Sequence, residues 1–406
     1  MNDIDNSGRK GLRVGRYLWI LGGMLLWIFL GKAIQEVLVW GAFLFAVYRA
    51  RQEGIAPWRT WQGYLFLGWM VWGLVTLPLG ANPRVSVLEA VRELDVLAGV
   101  FALSVLLRRP GAVGAAFAVT GSALSLVVLN DWFRLWRELG AAIFEKAHFH
   151  EPFFLGHPSN ASIAAGIALW MLMVVGIRYV GPRRRWVGVG VFLGVAINLL
   201  YIFTLAARGP QVALLGSLFV VPFVMPDRRY AVAGLGLVLL LALVGISQRE
   251  RLNARFGNEV TMSGFNDRTK VWLHTWELCK ERPWTGYGWG HRVFEEVYYA
   301  SDPPASKFHF PHCHQYWLGR VFAWGFPGGL LTFAAWAGLI GGVYRSVLAT
   351  KAWRDRVLPT GLLGILALLH IYGMGDMPQG IVPVLMAWSI PCGLVILAGG
   401  VRSGGE

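Results

Sequence analysis

Long apolar stretches separated by short polar ones dominate the chain. A bilayer crossing needs roughly 20 apolar residues, fewer where tilt or flanking residues adapt. Twelve stretches meet that test: 17–31, 33–48, 61–80, 90–107, 111–130, 160–178, 186–206, 210–226, 230–247, 317–344, 357–374 and 380–399. The second and eighth are short, and the fourth begins with charge. Two polar stretches are long, at 131–159 and 248–316. The pattern predicts an all-α polytopic membrane protein, a single integral membrane domain over 1–406. It has about twelve transmembrane helices and a large, partly helical loop between spans 9 and 10.

Composition agrees. Hydrophobic residues make up 55% and charged residues 15% of the 406 residues, whereas soluble chains carry roughly a quarter charged. The formal charge of +14 would suggest nucleic acid in a soluble protein, but its placement gives another meaning. Arg49, Arg51, Arg59, Arg108, Arg109, the run Arg183–Arg185, Arg228, Arg229, Arg345, Lys351, Arg354 and Arg356 all fall in short loops on the side of the N-terminus. The positive-inside rule makes that side cytoplasmic, and twelve spans return the C-terminus to it. The surplus is an orientation signal, and no nucleic-acid partner is implied. Arg9, Lys10, Arg13 and Arg16 precede the first apolar run, and Lys32 rather than a small-residue cleavage site follows it. That marks an uncleaved first span. Both long polar segments then face outward.

Loops of such length are functional or disordered, and the richness of 248–316 in Trp, Tyr and Phe argues against disorder. Asp267 can cap a helix running to about Glu281, with Pro283 as its stop. Val271, Thr275 and Leu278 share one helical spacing and Trp272, Trp276 and Cys279 another, which predicts an apolar face lying on the spans or the lipid interface. A turn at Gly286-Tyr287-Gly288-Trp289-Gly290, a helix over about 291–300 and the breakers Pro303 and Pro304 follow. The segment Lys307-Phe308-His309-Phe310-Pro311-His312-Cys313-His314-Gln315 leads into the tenth span.

Four side chains here carry candidate chemistry. Arg268 sits in the first turn of its helix, where the dipole favours anions and a cation gains nothing locally; it is either a solvated arginine or one that reaches an anionic substrate. Arg208 closes the seventh span in Leu205-Ala206-Ala207-Arg208-Gly209-Pro210. A snorkelling anchor is one reading. The other is a phosphate-binding guanidinium turned into the outer mouth by the Gly-Pro corner. His312 and His314 sit near arginines, and imidazole is suited to accept a proton at neutral pH. Zinc on His309, His312, Cys313 and His314 is the metal alternative, but the spacing matches no familiar Cys/His site, so no metal or cofactor is expected. A Cys279–Cys313 disulfide is conceivable in an oxidising compartment.

With these residues in order, the chain resembles the O-antigen ligase family, whose superfamily includes O-antigen polymerases and protein O-oligosaccharyltransferases. The Arg-Gly corner, the arginine on the loop helix, the Tyr-Gly turn and the His-x-His-amide approach to the next span carry the resemblance. Gln315 stands where the family usually has asparagine. The resemblance implies inverting transfer of O-antigen polysaccharide from undecaprenyl diphosphate to lipid A–core oligosaccharide. It places the active site at the periplasmic face of the bacterial inner membrane and requires no metal. By motif it implies His314 as base, with His312 as the other possibility, and Arg208 and Arg268 as cations for the diphosphate.

Arg84, Arg92, Arg134, Arg137 and Lys146, with Gln315, are candidate contacts for the substrates, whose acceptor carries phosphates. Alternatively the cations solvate loops or pair with Glu89, Glu93, Asp131 and Glu138. His157, ahead of the sixth span, reads as a cap or turn residue. A transporter is the competing class. It usually carries charged or broken helices at mid-membrane, whereas the polar residues here gather at one surface.

Overall fold

A computed structural model describes residues 32–108, 111–147, 157–179, 185–219, 267–376 and 382–398, apart from positions 57, 93, 305, 307 and 308, together with residue 236. The first predicted span, nearly all of the ninth, the segment 248–266 and part of 131–159 lie outside the described residues.

The described residues are helical, without strands. In chain order the principal helices are α1 (Lys32–Glu53), α2 (Trp61–Thr76, continued by a 3₁₀ turn to Leu79), α3 (Pro83–Arg92), α4 (Leu94–Leu106) and α5 (Ala112–Leu139). They continue as α6 (Pro158–Tyr179), α7 (Arg185–Leu205), α8 (Arg208–Phe219), α9 (267–281), α10 (His291–Ala300), α11 (Tyr316–Ala349), α12 (Trp353–Gly373) and α13 (Val382–Leu397). Six stretches are long and apolar enough to cross a membrane: α2 with its 3₁₀ turn, α5 with its own, α6, α7, α11 and α12. The protein is a helical membrane protein. α6 and α12 form its interior: both are mostly buried and pack on each other, α6 also on α5 and α7, and α12 also on α8 and α11.

Two expected elements change. Of the fourth expected span, 90–107, the first residues belong to α3, which ends at Arg92, and the apolar remainder forms α4. The fifth does not stop near residue 130; α5 runs on to Leu139. Its polar extension is accommodated because Asp131, fully buried, receives the Tyr201 hydroxyl of α7 and lies 3.4 Å from Arg134. The sequence pattern places a loop where a carboxylate is in fact internalised with partners.

α9 and the long segment after it build a second, smaller apolar cluster from Val271, Leu278, Cys279, Tyr287, Phe294 and Phe310, among others. Of the two expected α9 stripes, Val271, Thr275 and Leu278 are buried, while Trp276 is exposed beside Leu273. Trp276 meets Phe326 edge-on at 5.4 Å.

The glycine-rich turn docks on a break in α11. Gly325 adopts φ 69° and Pro327 follows inside the helix. Proline has no N–H to donate to Ala323, and the Phe326 N–H bonds Pro283 O at 2.7 Å instead of its helical partner. The carbonyls of Phe322 and Ala323 are thereby released, and they accept the N–H groups of Tyr287 (2.8 Å) and Gly288 (3.0 Å). Gly286, at φ 66°, has no room for a side chain: a Cβ would lie 2.5 Å from Phe322 O. At the break, Trp284, Trp317, Phe326, Pro327, Leu330 and Phe333 line an apolar cavity of about 630 Å³.

Candidate active site

The C-terminal end of α12 is where the candidate chemistry collects. Asp376 lies three residues past the helix, turned back by N–H bonds from residues 374–376 to carbonyls of the last turn. His314 Nδ1 is 2.9 Å from Asp376 Oδ1. Arg268 donates to Gly375 O at 2.8 Å, and its other terminal nitrogen is 3.9 Å from Asp376 Oδ2. The buried Tyr372 hydroxyl lies 3.3 Å from Asp376 Oδ2 and 3.4 Å from Asn160 Oδ1, near the start of α6. Gly209 packs on the same ring: a Cβ there would be 3.7 Å from Tyr372. The first turns of α6, α8 and α9 and the approach to α11 all meet this corner, presenting the positive ends of their dipoles.

Arg208 therefore has a different local setting from the one expected. α7 ends at Leu205, Ala206 makes the corner with φ 48°, and Arg208-Gly209-Pro210 opens α8. The arginine stands at a helix N-terminus, with proline at the third helical position where no N–H is missed. Arg208 and Arg268 thus share one design: a cation in the first turn of a helix, where dipole and side chain both favour an anion.

His314 holds a left-handed backbone at φ 51°, uncommon for a residue other than glycine. Its N–H bonds His312 Nδ1 at 3.1 Å, and the two rings are 4.1 Å apart, with His291 5.4 Å beyond His312. His312 is almost wholly buried, and burial, then the neighbouring His314, pushes its pKa down to about 3. Such an imidazole stays neutral and is a weak proton acceptor. In the neutral tautomer that donates Nδ1–H to Asp376, Nε2 carries the lone pair.

The remaining expected residues are dispersed. Gln315 caps α11, its side-chain oxygen accepting from Leu318 N–H. Arg134 pairs along its own helix with Asp131 and, at 3.8 Å, Glu138. Arg84 and Arg137 are exposed on α3 and α5, and the side chains of Arg92 and Lys146 lie outside the described residues. His157 accepts the Ser159 N–H at 3.2 Å, the expected capping role. His309 turns away to pair with Glu295 at 2.8 Å and stack on Tyr299. Cys279 and Cys313 are buried free thiols, and burial pushes both up to about 12.

Asp376, Tyr372 and Asn160 join the site without having stood out along the chain. A signal for the first exists: Asp376 is the one acidic residue between Arg356 and Val401. The zinc alternative changes with it, since His312, His314 and Asp376 present ligand atoms within 4.8 Å of one another. That set, without Cys313 or His309, can hold a divalent cation.

Fold and site together define a helical membrane protein with an acid–histidine pair and two helix-borne arginines at one corner of its bundle. Residues 193–333 match the family model described as O-antigen ligase, which supports membership of the O-antigen ligase family. The match covers about a third of the chain and includes Arg208, Arg268, His312, His314 and Gln315 but not Asp376. No curated protein matches the chain.

Proposed function

We propose that the protein transfers O-antigen polysaccharide from undecaprenyl diphosphate to lipid A–core oligosaccharide, with inversion, at the periplasmic face of a twelve-span inner-membrane protein. The single observation carrying this reading is the His314–Asp376 pair at 2.9 Å with Arg268 on the same loop. An acceptor hydroxyl gives its proton to His314 Nε2 while its oxygen attacks the anomeric carbon. The bond from that carbon to the phosphate oxygen breaks, and undecaprenyl diphosphate leaves carrying the electron pair. Asp376 holds the imidazole in the required tautomer and balances the imidazolium that forms. Arg208 and Arg268, each at a helix N-terminus, neutralise the leaving diphosphate, the kind of preorganised charge that commonly contributes most. The apolar cavity suits the polyprenyl tail, since Trp317, three residues after His314, lines it.

The test is reconstitution with lipid-linked donor and lipid A–core acceptor. His314→Ala is expected to lower turnover by about 10²–10⁴-fold and Asp376→Asn by about 10²-fold through the wrong tautomer, with the protein still folded. Lysine at 208 or 268 impairs transfer despite retaining charge, because the planar fork is lost. Full activity of His314→Ala would remove the base assignment. Transfer only onto a second lipid-linked glycan would identify a polymerase, and transfer onto a polypeptide a protein O-oligosaccharyltransferase. Turnover in EDTA is expected to be unchanged; loss restored by zinc would establish the cation on His312, His314 and Asp376.

A further inference from the structure

Arg320 has no role in the chemistry above. It is the one charged residue in the expected tenth span, 317–344, and an ionisable residue so placed requires a physical reason. Its guanidinium carbon lies 4.8 Å from the centroid of Tyr316, 4.9 Å from Trp324 and 6.0 Å from Trp289. Tyr316 and Trp324 stand four residues before and after it on α11, and Trp289 comes from the docked glycine turn. Three ring faces hold the charge, yet they engage none of the in-plane N–H groups of the fork in ordinary hydrogen bonds. Among the described residues no carboxylate is within ion-pair distance of Arg320, and its buried Nε bonds to no protein acceptor. The arginine is clamped, oriented and half-exposed, with its donors unspent.

Its place relative to the candidate base is informative. The imidazoles of His291, His312 and His314 form a row ending at Asp376. Arg268 acts electrostatically on His312, near the Asp376 end, whereas Arg320 acts on His291 at the other. Arg320 also acts on Cys313, between His312 and His314, so an anion on it stands beside this row and apart from the Arg268–Asp376 contact.

We propose that Arg320 is an anion-binding position for a phosphate group of the acceptor glycolipid. This rests on the ligase reading for the identity of the acceptor. An aromatic clamp suits such a contact, because it fixes the fork in advance and leaves the N–H groups free for planar, bidentate bonding to phosphate.

Equilibrium binding of phosphorylated and dephosphorylated lipid A–core to the detergent-solubilised full chain, without donor, tests it. The wild-type protein is expected to bind the phosphorylated form about 10-fold more tightly, the scale of one charge-assisted contact. Arg320→Met, which fills the aromatic box without charge, loses that preference, and Arg320→Lys retains part of it; melting temperatures verify that both variants fold. The proposal is overturned if folded Arg320→Met still prefers the phosphorylated acceptor, or if it weakens both forms equally. It is overturned as well if undecaprenyl diphosphate binding, measured in parallel, is what the substitution weakens. Because no turnover is needed, Arg320-dependent preference in a protein that fails to transfer glycan would uphold this site while removing the ligase reading.

Discussion

His312 and His314 are two residues apart and chemically unlike each other because one is sealed and the other faces Asp376. Burial dominates at His312 and keeps it uncharged, so it serves as the acceptor that holds the His314 backbone in its left-handed turn. The cost of that arrangement has a definite sign. The unfolded chain protonates His312 near pH 6.5, whereas the folded protein resists until about pH 3. Between those values the unfolded state binds more protons, and stability falls as pH falls. The contribution is at most about 1.4 kcal/mol for each pH unit below 6.5. Acidification from pH 7 to pH 5 is therefore expected to lower the melting temperature, and His312→Gln, whose amide oxygen can still accept the His314 N–H, flattens the dependence. A slope unchanged in that variant would place the titration elsewhere.

At the scale of elements, the break in α11 organises the site. Straight α-helix through residues 322–327 would consume the Phe322 carbonyl on which Tyr287 of the Tyr287–Gly288 strap is fastened; the Ala323 carbonyl that holds Gly288 is left open by Pro327 in either case. The strap in turn delivers Trp289 to the box around Arg320. Gly325 has both a left-handed backbone and no space, since a Cβ would lie 2.5 Å from the Trp284 carbonyl. Gly325→Ala is expected to cost about 1–3 kcal/mol from the backbone alone and to open the segment 283–290 to limited proteolysis. Wild-type cleavage kinetics in that variant would show the strap to be held by other contacts. Helix identity is readable from apolar length, and so are α9 and α10 from caps and breakers. The kink is not, because Gly325-Phe326-Pro327 sits in a run that composition alone reads as one continuous span. Nor is the α7–α8 corner readable: Ala206 rather than the Gly-Pro pair makes the turn, which moves Arg208 from the end of one helix to the start of the next.

The whole molecule is asymmetric in its use of charge. Arg208 and His314 are legible singly, each as a polar residue at the mouth of an apolar run, and Arg268 as a cation in the first turn of a loop helix. Asp376 is not, because a lone aspartate in a short loop is unremarkable until the packing of α12 against α6, α8 and α11 brings four segments to it. The proposed orientation sets this corner, with α9 and α10, on the side opposite the basic short loops such as the one between α11 and α12. The native thiols are all buried, which makes the arrangement accessible to labelling. A cysteine at exposed Lys280 on α9 is expected to react with a membrane-impermeant maleimide in intact spheroplasts. One at exposed Lys351, in the α11–α12 loop, should react only after permeabilisation. The proposed transfer at the periplasmic face requires the first pattern. Labelling of Lys351→Cys alone in intact spheroplasts would invert the molecule, turn the basic loops outward against the positive-inside bias, and remove the periplasmic active site with it.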